Sequence, residues 1–198
     1  MPLEPIETLS PPQSLWRDTA PAAPESPQLR EEVAADVVIV GAGFTGLRAA
    51  ARLAEGGAEV VVLDAGDVGA GASGRSGGQV NPMLPFNSPE RLRKILGERF
   101  FERVTAASLQ SADELFDMIA AYGIECGARQ KGWLKVNHTE KALRRAESDV
   151  KSWNAFGAGM EILRGETLRA MTGSPAYDSG VLTPRGGAVH PLMLVQGL

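Results

Sequence analysis

Residues 36–47 read Asp-Val-Val-Ile-Val-Gly-Ala-Gly-Phe-Thr-Gly-Leu, and the prediction of the fold rests on them. Residues 37–40 form an apolar run without polar alternation, which is typical of a strand buried on both faces of a parallel sheet. Gly41, Gly43 and Gly46 follow in the G-x-G-x-x-G spacing. The first glycine permits a tight turn, the second lets a pyrophosphate approach the backbone, and the third lets helix and strand pack closely. The stretch therefore predicts a nucleotide-binding βαβ unit.

The segment that follows the turn completes this unit. Small apolar residues at spacings of three and four predict a helix that ends at Gly56, and a second apolar run, residues 60–63, predicts a second buried strand. The N–H groups at the start of the helix, with Phe44 and Thr45, are predicted to bind a diphosphate. Asp64 lies 23 positions after Gly41, the separation expected of an acid that binds a ribose hydroxyl. A carboxylate there repels a 2′-phosphate, so the pattern favours FAD or NAD over NADP.

A glycine-rich run, residues 65–79, comes directly after this acid. Its own side chains are too small to order it, so we expect it to be ordered by a ligand or by another piece of backbone. We interpret the run as the part of the site that holds the rest of the cofactor; the alternative is a flexible surface loop. The predicted cofactor-binding residues are Gly41, Gly43, Phe44, Thr45, Gly46, Asp64, Ala65, Ser73, Gly74, Arg75, Gly77, Gly78 and Gln79.

The composition excludes several classes of protein. The 198 residues are 43% hydrophobic and 22% charged with a net charge of −4, which is typical of a globular protein and argues against nucleic-acid binding. No apolar run reaches the roughly 20 residues of a membrane span. Glu4 and Glu7 lie where a signal peptide would have basic residues, so a cytoplasmic location is predicted. The single cysteine excludes an internal disulfide, and no metal site is predicted.

The remaining segments have distinct patterns. Residues 1–32 contain seven of the thirteen prolines and are predicted to be an extended arm without regular elements, anchored by Trp16. Residues 33–87 hold the βαβ unit and the glycine-rich run. Residues 88–122 predict helices that begin at Ser88-Pro89 and are broken at Gly97.

The C-terminal third predicts short strands and helices over residues 123–184. The runs 124–129 and 132–136 are predicted to pair as a hairpin. Residues 185–198 begin a helix that returns to the first domain, and His190 at its start is predicted to be a packing or turn residue rather than a catalytic one. Because the sequence ends in this helix without a C-cap, we expect a truncated chain that lacks a C-terminal half.

Three motifs together resemble a known family. Val-Val-Ile-Val-Gly-Ala-Gly-Phe-Thr-Gly-Leu, Val-Val-Val-Leu-Asp-Ala and Gly-Ala-Gly-Ala-Ser-Gly-Arg-Ser-Gly-Gly-Gln are similar to the N-terminal part of the FAD-dependent amine and D-amino-acid oxidase (DAO) family, within it to γ-glutamylputrescine oxidase-like enzymes. The arm residues 14–21 are similar to the lead-in of those enzymes. Two positions differ from the family pattern: Asp64 replaces the usual Glu, and Ser76 replaces the usual Asn.

The resemblance implies an α/β fold, with a Rossmann-like FAD-binding domain of the GR2/DAO type and part of an α+β substrate domain. It implies FAD as cofactor and an amine or amino-acid substrate whose C–N bond is oxidised, with hydride passing to the flavin and oxygen as acceptor. The sequence assigns no catalytic residue. Two alternatives stay open: an NAD-dependent dehydrogenase, and an inactive fragment that forms half of an assembly.

Overall fold

A computed structural model of the chain describes residues 13–84 and 87–198. The helices are α1 Leu15–Thr19, α2 Phe44–Glu55, α3 Pro89–Tyr122, α4 Glu140–Asn154, α5 Gly165–Thr172 and α6 Pro191–Gln196. The strands are β1 Val37–Val40, β2 Val60–Leu63, β3 Gln79–Val80, β4 Trp133–Asn137, β5 Glu161–Arg164, β6 Ser179–Thr183 and β7 Gly187–Ala188. The described residues form two compact units. The first consists of residues 13–78, 119–127 and 189–198, and the second consists of residues 79–84, 87–118 and 128–188.

The first unit contains the predicted βαβ motif. β1 and β2 pair in parallel with Val37 opposite Val60, and α2 connects them. β1 differs from the expectation of burial on both faces, since Val38 is 56% exposed and Val40 is 86% exposed. The other two residues of β1 are only half-buried, and Ile39 lies beside α2. The alternation arises because α2 covers one face of this two-stranded sheet.

A polar contact ties α2 to the end of α3 within the first unit. Arg48 Nη1 donates to the Tyr122 hydroxyl at 2.5 Å, and that hydroxyl in turn donates to the Glu55 carboxylate. The hydrogen bond from Tyr122 lowers the pKa of Glu55, because it favours the ionised carboxylate. All three side chains are on or near the surface, so the contact contributes little to the stability of the fold.

The second unit is built on an antiparallel sheet in the order β4-β6-β5. β4 pairs with β6 from Trp133 opposite Thr183 to Asn137 opposite Ser179. The predicted hairpin between 124–129 and 132–136 is therefore wrong. Residues 124–129 form no strand, and Arg129 makes only an isolated bridge to Ala188. The local pattern indicated a strand at β4, but its true partner lies more than forty positions further along the chain.

α3 is interrupted where the sequence predicted. Gly97 has φ +67° and ψ 164°, which is not helical, so the element consists of two helical segments. Ser88 begins it as predicted, since its hydroxyl accepts from Arg91 N at 3.3 Å. No helix in the described residues, α3 included, is long and apolar enough to cross a membrane.

The core of the second unit lies between α3, α4 and the segment before β5. Its buried members are Leu92, Phe101, Leu109, Trp153 and Ala158. Phe101 is 1% exposed and packs edge-on against Phe156 with ring centroids 5.5 Å apart. The kink at Gly97 separates the helical segment that carries Leu92 from the one that carries Phe101, and both segments contribute to one cluster.

The N-terminal arm is less irregular than the sequence predicts. Residues 15–19 form α1, whose N-cap Ser14 accepts from Arg17 N at 3.3 Å. From residue 20 to residue 35 no helix or strand forms, and most side chains are exposed. Serine at the N-cap and the hydroxyl of Thr19, which donates to Leu15 O at 2.6 Å, explain why one helical turn forms among the prolines. The part of the predicted arm at residues 1–12 lies outside the described residues.

Phe101→Ala should lower the free energy of unfolding by about 3–5 kcal/mol, because it opens a cavity in the core of the second unit. The neighbouring Phe100 is 46% exposed, so Phe100→Ala removes the same atoms from the surface and should cost less than about 1 kcal/mol. Urea unfolding followed by circular dichroism measures both. Equal losses for the two variants would contradict the packing described here.

Candidate dinucleotide-binding site

The turn after β1 requires glycine at three positions for three different reasons. Gly41 has φ +113°, a conformation that L side chains rarely adopt. A Cβ on Gly46 would lie 2.0 Å from Gly41 O and 3.2 Å from Ile39 Cγ2, so α2 packs directly on β1. A Cβ on Gly43 would lie 2.9 Å from Ser73 Oγ, so its absence leaves room for a polar group at the helix start. The geometry matches the roles expected of a G-x-G-x-x-G turn.

Asp64 joins the end of β2 to this turn. Its Oδ2 accepts from Ala42 N at 2.7 Å and its Oδ1 accepts from Gly66 N at 2.9 Å. The side chain is nevertheless exposed. Since each carboxylate oxygen has two lone-pair sites, Asp64 keeps the capacity to accept from a ligand hydroxyl while it holds the backbone. The sequence analysis did not predict a role for Ala42, the residue whose N–H binds Asp64, although it lies between two predicted site glycines.

Ser73 reaches the N-terminus of α2 from the glycine-rich run. Its Oγ accepts from Phe44 N at 3.1 Å. Gly43 is the N-cap of α2 and has no side chain to accept from the first-turn N–H groups. The serine hydroxyl and the positive end of a twelve-residue helix therefore lie together, which is a donor set suited to a diphosphate.

Contacts within the protein explain several glycines of the run after Asp64. A Cβ would lie 2.2 Å from Val195 Cγ1 at Gly69, 2.3 Å from Gly69 O at Gly74, and 2.3 Å from Val189 O at Gly78. The run is thus packed on the C-terminal segment that contains α6. The sequence predicted that either a ligand or another piece of the protein orders the run. At these three positions, contacts with other protein atoms do so. Gly77, in contrast, has open space where its Cβ would be.

The other predicted residues lie in varied surroundings. Thr45 and Ala65 are exposed. Arg75 Nε donates to Gly71 O at 3.1 Å. Gln79 begins β3 in the second unit, where its Oε1 accepts from Asn81 Nδ2 at 3.4 Å. The structure thus brings the three turn glycines, Phe44, Asp64 and Ser73 together, while Arg75 and Gln79 make contacts outside that cluster.

His190 has a structural role, as the sequence predicted. Its Nδ1 accepts from Met193 N at 3.2 Å, which caps α6, and its Nε2 lies 3.0 Å from Thr19 Oγ1. Because the Thr19 hydroxyl donates to Leu15 O, the imidazole donates from Nε2 and accepts at Nδ1. Trp16 packs edge-on against the ring with centroids 4.9 Å apart, so it anchors the arm. Nδ1 thus caps α6, and Nε2 joins the start of α6 to α1.

A parallel strand–turn–helix–strand unit with these glycines and a terminal acid defines a dinucleotide-binding fold. The family described as FAD dependent oxidoreductase, or DAO, matches residues 36–198, and the chain belongs to this family. The resemblance found in the sequence, the Rossmann-like fold class and the expectation of FAD as the family's cofactor are confirmed.

Individual relatives agree with the family. Gamma-glutamylputrescine oxidoreductase of Escherichia coli K12 is 34% identical over 174 residues, which cover 85% of this chain and 39% of that protein. The structure of L-amino acid deaminase from Proteus myxofaciens in complex with anthranilate has a TM-score of 0.70 at 24% identity. The matched region covers 89% of this chain and 38% of the deaminase chain. Glycine oxidase from Bacillus cereus has a TM-score of 0.61 at 22% identity, with 83% and 42% covered. The chain thus spans about two-fifths of the length of these relatives.

Gly46→Ala should destabilise the protein by about 1–3 kcal/mol or more, because the new methyl group would overlap Gly41 O. The sign of the change in stability distinguishes the two cases, since a glycine-to-alanine substitution inside an unobstructed helix stabilises the protein by roughly 0.5–1 kcal/mol. Gly71→Ala is the matched control, because a Cβ there has no atom within 4 Å. Thermal unfolding of both variants measures the difference, and a stabilised Gly46→Ala protein would refute the close packing of α2 on β1.

His190→Ala should cost about 1 kcal/mol for the lost cap of α6, and it should also release Trp16 from its packing. His190→Asn keeps an N-cap acceptor, so it should retain most of the stability of the helix while it still loses the contact with Trp16. Thermal unfolding reports on the cap, and tryptophan emission reports on the arm. Wild-type behaviour of His190→Ala in both measurements would contradict this structural role.

Proposed function

We propose that the first unit holds the adenosine and diphosphate part of FAD in an enzyme that oxidises the C–N bond of an amine or amino acid, with oxygen as acceptor. The observation that carries the proposal is the convergence of Asp64, Ser73 and the α2 N-terminus at one turn. The relatives named gamma-glutamylputrescine oxidoreductase, L-amino acid deaminase and glycine oxidase support an amine or amino-acid substrate.

The residues of the turn fit a dinucleotide. Gly43 lacks the Cβ that would fill the space beside Ser73 Oγ. Ser73 Oγ accepts from Phe44 N, and the other first-turn N–H groups of α2, which have no N-cap side chain to accept from them, would donate to the diphosphate. Asp64 would accept from a ribose hydroxyl, and its two backbone bonds would hold the carboxylate in place at that position.

FAD supplies the two-electron acceptor chemistry of such an enzyme when it is bound. The task of this chain in the proposal is binding and orientation. Asp64 would fix the ribose relative to β2, while Ser73 and the helix start would fix the diphosphate relative to α2. A Cβ at Gly71 or at Gly77 would meet no atom within 4 Å, so the protein leaves space beside the backbone at both positions of the run.

The sequence left two alternatives open, an NAD-dependent dehydrogenase and an inactive fragment that forms half of an assembly. An NAD-dependent dehydrogenase would share the turn and the acid, but membership of an FAD-dependent family argues against it. A chain that acts only with further polypeptide agrees with its coverage of 39% of the gamma-glutamylputrescine oxidoreductase. In that case a C-terminal half would be the partner that completes the substrate pocket, and the cofactor turn described here would still bind the adenosine part of FAD.

The test is a titration of the 198-residue chain with FAD, followed by desalting and measurement of retained flavin absorbance. Asp64→Asn should weaken FAD binding by about 10- to 100-fold, because it removes the charge from the hydrogen bond to the ribose. Asp64→Glu restores the carboxylate and should bind within a few fold of the wild type. Asp117→Asn, at an exposed position of α3, is the matched control and should have no effect.

Circular dichroism separates lost binding from lost folding in each variant. A folded wild-type chain that retains no flavin would refute the proposal that this unit holds the cofactor. Wild-type affinity in a folded Asp64→Asn protein would refute the role of the carboxylate. Retention of NAD in preference to FAD would favour the dehydrogenase.

A further inference from the structure

The helix α1 of the N-terminal arm contacts two other segments of the first unit. Trp16 packs edge-on against the His190 ring with centroids 4.9 Å apart, and Thr19 Oγ1 lies 3.0 Å from His190 Nε2. Arg17 Nη2 donates to Asp67 Oδ2 at 3.0 Å. These hydrogen bonds join residues that are 171 and 50 positions apart along the chain. One helical turn of the arm therefore connects the start of α6 with the glycine-rich run.

The contacts with His190 contribute more to this attachment than the ion pair does. Arg17 and Asp67 are 44% and 52% exposed, and an ion pair at such a position contributes little to stability because water and salt screen it. Trp16 is half-buried, whereas the side chains of residues 21–34 are exposed. An edge-on aromatic pair also contributes beyond the apolar area that it buries. Trp16 is thus the main anchor of α1.

The glycine-rich run lies directly on α6, the helix that His190 caps. A Cβ on Gly69 would lie 2.2 Å from Val195 Cγ1, and a Cβ on Gly74 would lie 2.8 Å from Leu192 Cδ1. Val195 is 0% exposed. Because these two side chains fill the space beside the two glycines, a shift or rotation of α6 would displace the backbone of the run.

The run in turn contacts the glycine turn that follows β1. Gly69 N donates to Ala42 O at 3.0 Å, and Gly74 N donates to Gly69 O at 3.2 Å. Ser73, which directly precedes Gly74, accepts from Phe44 N at the start of α2. The hydroxyl proposed to fix the diphosphate is therefore carried by a segment whose position depends on α6.

We propose that Trp16 and Thr19 are positioning residues for the cofactor, an inference that rests on the proposed binding of FAD at this turn. α1 holds His190 and α6 in place, α6 holds the run, and the run holds Ser73 beside the N-terminus of α2. Neither Trp16 nor Thr19 contacts the cofactor in this arrangement. Their contribution is to order the run before the diphosphate binds, because affinity falls in proportion to the fraction of molecules in which the site is formed.

The first test measures the hold of α1 on the run without any ligand. Hydrogen exchange in the 198-residue chain should be about tenfold faster at the Gly69 and Gly74 amides of Trp16→Ala, because the run opens more often. Gly41 N, which donates to the end of β2 at 2.7 Å within the βαβ unit, should exchange at the wild-type rate. Trp16→Phe keeps an aromatic ring and should stay within about threefold of the wild type. Leu15→Ala, at a 67% exposed position of the same helix, is the matched control.

The second test measures FAD affinity in a double-mutant cycle. Trp16→Ala should weaken FAD binding about tenfold, and Thr19→Val, which removes the hydroxyl next to His190, should weaken it about threefold. In the Ser73→Ala background, Trp16→Ala should weaken FAD binding by no more than about threefold, because the side chain that it positions is already absent. Trp16→Phe should restore most of the affinity. An effect of α1 on general stability alone would be equal in both backgrounds.

The outcomes of the two tests are distinguishable. Wild-type exchange at Gly69 and Gly74 in a folded Trp16→Ala protein would overturn the proposal, whether or not FAD binds. Faster exchange together with unchanged FAD affinity, or equal losses of affinity in the two backgrounds, would also overturn it. A wild-type chain that retains no FAD would refute the proposed function, whereas the exchange rates would still show whether α1 orders the run. Circular dichroism verifies folding, and Thr19→Val replaces Trp16→Ala in both tests if that variant does not fold.

Discussion

The contact between Gly46 and Gly41 O is the constraint on which the first unit depends. It lets the axis of α2 lie close to β1, because no side chain separates helix from strand at this point. That approach sets the direction of the helix N-terminus and brings Phe44 N within reach of Ser73 Oγ. It also places the turn beside the end of β2, where Asp64 accepts from Ala42 N. A bulkier residue at position 46 would displace the donors of the proposed diphosphate site together.

The C-terminal segment provides the second constraint. α6 packs against Gly69 and Gly74 through Leu192 and Val195, and residue 189 contacts Gly78. The glycine-rich run thus has a protein surface on one side, and the cofactor proposed above would lie on the other. α6 is itself held by His190, which caps it and contacts Trp16 and Thr19 of the arm. Segments distant in sequence therefore fix the shape of the run that carries Ser73.

Much of the proposed site was predictable because its elements are local in sequence. The strand, the turn, the helix and the acid lie within thirty residues, and each follows from a backbone requirement that only certain residue types meet. The break at Gly97 and the cap at Ser88 were predictable for the same reason. The pairing of β4 was not, because residues 133–137 specify a strand without specifying its partner.

The βαβ unit, the place of its acid and the family of the chain could be read from the amino-acid sequence, since glycine spacing and apolar periodicity act over a few residues. Three features became apparent only in the folded chain: the glycine-rich run is packed on α6, Asp64 accepts from Ala42 N and Gly66 N, and β6 lies between β4 and β5. These contacts join segments that are far apart along the chain, so neither segment carries a periodic pattern that indicates its partner. They are selected by shape and hydrogen bonding once the local elements have formed.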